Sequence, residues 1–70
     1  MIKHTIVNKF DKTTMYQATN GKLTICYSTD NLGTDRIGTL KRVECSKIGM
    51  FEAYKMSEIK QKINELFINQ

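Results

Sequence analysis

The run TTMYQATNGKLTICYS, residues 13–28, decides how this chain folds. Asn20-Gly21 stands between two stretches that alternate apolar and polar side chains. Asn-Gly is the strongest short-range hairpin signal, because both residues tolerate the positive φ that a two-residue type I′ loop demands. Closing the loop there pairs Thr19 with Lys22, Ala18 with Leu23, Tyr16 with Ile25 and Thr14 with Tyr27. The last three pairs share one side of the ribbon, while Gln17 with Thr24, Met15 with Cys26 and Thr13 with Ser28 share the other. The hairpin therefore has one apolar face and one rich in hydroxyls.

Working outward, residues 2–10 also alternate, with Ile2, His4, Ile6, Asn8 and Phe10 on one side, which predicts a first strand whose inner face is set by Ile2, Ile6 and Phe10. Asp11-Lys12 is a short connection, so this strand should lie antiparallel to the next and begin a meander. The segment TDNLGTDRIG after Ser28 is rich in turn formers and reads as the longest loop. Its acidic residues do not fall in calcium-loop positions, and Lys41 stands where the bidentate Glu would be needed. Residues 39–47 read as a strand of unassigned register, and Gly49 as a turn or bulge before a short strand that ends near Tyr54.

From Ser57 the period becomes helical. Ser57 is the expected cap, Glu58 suits the positive end of the helix dipole, and Ile59, Ile63, Leu66 and Phe67 gather on one stripe with Ile68 opposite it. So short a helix must bury that stripe on the sheet, where Ile6, Phe10, Tyr16, Leu23 and Ile25 are the expected floor. The predicted fold is α+β: an antiparallel meander of three to four strands with one C-terminal helix packed on one sheet face, a single small domain over residues 1–70.

The chemistry on offer is sparse. In 70 residues there is no room for an enclosed substrate cavity with supporting shells. His4 is the only histidine and no Ser, Cys or carboxylate is tied to it by spacing, so no catalytic residue is assigned and the chain reads as a non-enzyme. Cys26 and Cys45 lie in no metal-binding spacing and form no disulfide framework, so they read as buried free thiols, and neither metal nor cofactor is expected. The N-terminus is too short and too polar for a signal peptide, and no apolar run approaches membrane-spanning length. The expected setting is the cytoplasm, without a membrane.

What remains is binding. Eleven Lys and Arg against seven Asp and Glu give +4, with a pI near 9.2, which leans toward polyanionic partners. Residues 36–47 hold Arg36, Lys41, Arg42 and Lys47 against Glu44 alone, and Lys3, Lys9 and Lys22 are expected on the solvent face of the first strands. These seven are the candidate contacts to DNA or RNA, through a basic sheet face serving a regulatory or accessory role. The alternative is a small inhibitor, adaptor or regulatory subunit that engages a protein through the 29–38 loop, with Leu32 and Ile37 as its contacts, or through an open sheet edge. Such an edge also leaves room for a homodimer.

Overall fold

The structure, a computed structural model, describes residues 1–32 and 40–68. Five strands, β1 (Lys3–Lys9), β2 (Thr13–Thr19), β3 (Thr24–Asn31), β4 (Lys41–Cys45) and β5 (Gly49–Ala53), form one antiparallel sheet in the order of the chain, and helix α1 (Met56–Ile68) follows. The α+β meander with a C-terminal helix is as expected, with five strands rather than three or four.

The hairpin closes differently from the type I′ expectation. Thr19 pairs with Thr24, Ala18 with Ile25 and Tyr16 with Tyr27, so the register is displaced by two residues and the loop spans 20–23. Only Gly21 has positive φ, at 94°, whereas a type I′ turn needs Asn20 to have it too. The Asn20 side chain supplies the reason: its Oδ1 accepts the N–H groups of Lys22 and Leu23 at 2.9 and 2.8 Å. Thr19 Oγ1 adds an acceptor for Gly21 N–H and a donor to the Leu23 carbonyl. An even displacement leaves every side chain on its expected face. Tyr16 and Tyr27 become direct neighbours, stacked with ring centroids 5.0 Å apart and planes within 8°.

β1 departs from strict alternation. Its pairing with β2 runs regularly from Lys3 opposite Thr19 to Ile6 opposite Tyr16 and then slips, with Asn8 opposite Met15, so Val7 is the extra residue of a β-bulge. The slip carries Asn8 to the outer face. Ile6 and Phe10, expected in the core, are 55% and 54% exposed: Ile6 keeps the core-side parity but lies on the edge strand, and Phe10 lies past the end of β1, put out of phase by the bulge. Ile2 alone of the three packs against the core.

That core lies under the helix. Ala18, Ile25, Tyr27, Val43, Cys45 and Ala53 from β2 to β5 meet Ile59 and Ile63 of α1, with Leu23, Tyr16, Phe51, Leu66 and Phe67 at its margin. Ile25, Val43, Ile59 and Ile63 are fully buried, each worth roughly 1.5–3 kcal/mol relative to exposure. Ser57 is not the cap: the Lys55 carbonyl already accepts from Glu58 and Ile59, which places Ser57 inside the first turn. Ile68 is exposed, opposite the buried stripe.

Thr29, Asp30 and Asn31, read from sequence as the start of the loop, continue β3 opposite Val43, Arg42 and Lys41. Thr29 is buried. The Leu32 N–H donates to the Leu40 carbonyl at 2.9 Å and closes the base of the connection from β3 to β4. At the next turn Gly49 adopts φ of 82°, and Ser46 N–H donates to the Cys26 carbonyl. No helix among the described residues is long and apolar enough to cross a membrane.

Candidate functional site

The polar cluster nearest to catalytic chemistry is His4–Tyr27–Asn64. His4 stands opposite Ala18 and so faces the core side of the sheet, as Tyr27 does. Its Nε2–H donates to Asn64 Oδ1 on α1 at 2.8 Å, which leaves Nδ1 to accept the Tyr27 hydroxyl proton, also at 2.8 Å. The two rings meet edge to face. Burial, reinforced by Tyr16 and Cys45, pushes the Tyr27 phenol up to about 12, so it stays protonated and non-nucleophilic at neutral pH. Both ring nitrogens are engaged and Tyr27 is 3% exposed. The cluster ties β1, β3 and α1 together and presents no group to a substrate.

The two cysteines sit on opposite faces. Cys45 opposes Tyr27 within the core, whereas Cys26 projects outward and is exposed, which corrects the expectation that both are buried. Both are free thiols. Among the described residues no group of His, Cys, Asp and Glu could hold a metal ion.

The basic residues do not assemble into one face. Lys3 pairs with Thr19 beside the 20–23 loop that carries Lys22, and Lys47 lies in the turn after Cys45 that folds back toward Cys26. These three are exposed at one end of the sheet. Lys9, Lys41 and Arg42 belong to the other end, about 20 Å away along the strands. Arg42 is flanked in register by Asp30 on β3 and Glu52 on β5, so two carboxylates compete with any phosphate for its guanidinium. Asp30 itself accepts a hydrogen bond from Thr13 Oγ1. Lys41 faces the helix side and is partly buried. Arg36 and Ile37 lie outside the described residues, and Leu32 is 38% exposed at the margin of that segment.

Between the two ends the outer face is partly apolar and carries a carboxylate, Glu44. One cross-strand row runs Asn8, Met15, Ser28, Glu44, Met50, and another runs Thr5, Gln17, Cys26. Val7, displaced by the bulge, joins Met15, Gln17, Cys26, Ser28 and Glu44 around a shallow depression of about 280 Å³. It is too small and too open to enclose a metabolite. Comparison with family models, curated proteins and solved structures returns no match for this chain. The reading of the site therefore rests on its own geometry.

Exposed apolar side chains gather at both edges of the sheet, with Met50 and Tyr54 at the β5 edge and a larger group at β1. Ile6 and Val7 on β1 and Phe10 just past its end are all more than half exposed, and Met15, opposite Asn8 on the outer face of β2, is 43% exposed. Sequence reasoning assigned Ile6 and Phe10 to the core because alternation alone cannot reveal which strand lies at the edge of a sheet. A bulge at Val7 has no residue-type signature that could have warned of the change of face.

Proposed function

We propose that this chain is a small non-catalytic protein-binding module that engages its partner through β1 and the adjoining outer face of the sheet. The observation that carries the reading is the exposure of Val7 and Met15 together on the outer face, with Ile6 exposed on the other side of the same edge strand and Phe10 just past its end. Large apolar side chains grouped in solvent mark interaction surfaces, whereas scattered ones need no explanation. The test is capture from a lysate of the source cells, before and after nuclease treatment, by the wild-type chain and by Val7→Asp combined with Phe10→Asp. Loss of a nuclease-resistant partner at unchanged melting temperature supports the reading. A partner retained by the variant sinks it.

A second reading has one observation in its favour. Lys3, Lys22 and Lys47 are exposed at the same end of the sheet, and they could meet the phosphates of DNA or RNA there. If nuclease removes what is captured, and charge reversal at these three lysines flattens the salt dependence of binding to short DNA or RNA, this reading replaces the first.

A further inference from the structure

The edge itself says what chemistry would fit it. β1 is an outermost strand, so alternate residues turn N–H and C=O groups away from the sheet. The other edge, β5, has its inward aromatic already covered, since the Lys62 ammonium sits 5.0 Å from the centre of the Phe51 ring. Among the described residues no comparable cover lies over Ile6 or Phe10, both more than half exposed. Pairing along β1 is regular from Lys3 to Ile6, and the bulge at Val7 interrupts it thereafter.

Charge weighs against a second copy paired along the whole of β1 and in favour of an acidic partner segment. The edge carries Lys3 and Lys9 at its ends and Lys12 in the following turn, against Asp11 alone. A second copy pairing antiparallel over the whole of β1 would centre on Ile6 and set Lys3 against Lys9 twice. Like charges directly opposed across strands are destabilising, and terminal lysines are a usual guard against self-pairing. The same two lysines attract carboxylates.

Building on the protein-binding reading, we infer that β1 accepts an extended segment of a partner protein as a sixth strand. The segment is apolar at its centre and acidic at its ends: main-chain bonds form along Lys3–Ile6, an apolar side chain meets Ile6, and carboxylates lie beside Lys3 and Lys9. Such binding takes its affinity from backbone pairing and its selectivity from the flanking charges.

The probe is a synthetic seven-residue peptide of alternating valine and threonine with glutamate at both ends, compared with the same peptide ended by lysine. Binding is read by amide hydrogen exchange and chemical shifts on the full chain, and its self-association by sedimentation. The glutamate-ended peptide should slow exchange in β1 and bind about tenfold more tightly than the lysine-ended one at low salt. Lys3→Glu with Lys9→Glu should reverse that order, and the free chain should remain monomeric. Equal binding of the two peptides, protection at β5 instead of β1, absence of protection, or a dimer formed through β1 would each overturn the inference. The protein-binding reading falls separately, only if Val7→Asp with Phe10→Asp leaves capture of the cellular partner intact.

Discussion

His4 on the first strand and Asn64 on the helix, separated by 60 positions in the chain, share a 2.8 Å hydrogen bond whose other half, from the same imidazole to Tyr27, reaches the middle of the sheet. Removing the ring leaves two polar groups without their partner. His4→Leu should cost on the order of 2–4 kcal/mol, measured by urea denaturation, since each orphaned group carries a desolvation penalty. Replacing Tyr27 by Phe in the same background should recover part of that loss. Strict additivity of the two substitutions would show that the hydrogen bonds are not coupled.

The buried phenol also predicts how stability responds to alkali. Tyr27 ionises at about 12 in the folded chain against 10.0 for an ordinary tyrosine, so the unfolded chain loses this proton first as pH rises. Its contribution is complete below pH 10 and disappears as pH climbs toward 12, a loss on the order of 2 kcal/mol by linkage. Tyr27→Phe should be less stable at neutral pH yet fall less steeply over that window. Parallel curves for the two proteins would contradict the assignment.

The hairpin loop offers a local test. Asn20→Ala removes the acceptor shared by the N–H groups of Lys22 and Leu23 and should cost about 1 kcal/mol, as loss of a helix cap does. Gly21→Ala has open space for its methyl group, yet φ of 94° is a conformation that alanine resists. A loss of about 1 kcal/mol is expected there as well. Calorimetry of the two variants decides whether the loop is held by the Asn side chain or by backbone pairing alone.

Core and edge should separate cleanly under mutation. Ile63→Ala, at a position fully buried on the sheet-facing side of the helix, should cost about 2–5 kcal/mol. Val7→Asp and Phe10→Asp, both more than half exposed, should each shift stability by no more than about 0.5 kcal/mol. A large drop for either edge variant would place that side chain in the packing and undermine the edge as a recognition surface.

Thiol chemistry gives an independent check on the two sheet faces. In the native protein Cys26 should react at once with an aromatic disulfide reagent, while Cys45 should wait for denaturant. Two thiols titrating together without denaturant would mean that the helix does not cover β4.

Much of this architecture was legible in the residues, and what was not has identifiable causes. Alternation around Asn20-Gly21 assigned Ala18, Tyr16, Ile25 and Tyr27 to the core face, and that assignment survives a two-residue slip because parity is unchanged. The helical stripe of Ile59 and Ile63 was equally plain, since three- and four-residue spacing has no other reading. Hidden from view was the Asn20 side chain acting as the turn's acceptor, a choice between two loops that the same dipeptide permits. Hidden also was the extra residue at Val7, which sent Asn8 to the other face. The candidate site was less legible still. Summing the charges of residues 36–47 ignored that Arg42 would lie between Asp30 and Glu52, because neighbours across a sheet are far apart in the chain.

The order of the strands has a consequence for biosynthesis. Each strand pairs with the one made just before it, so the sheet can zip together as the chain leaves the ribosome. Its cover, the helix, follows all five strands in the chain. Until residue 63 has emerged, Ile25 and Val43 lack the helix above them, and the nascent ribbon is at its most adhesive in the interval between its last strand and that helix.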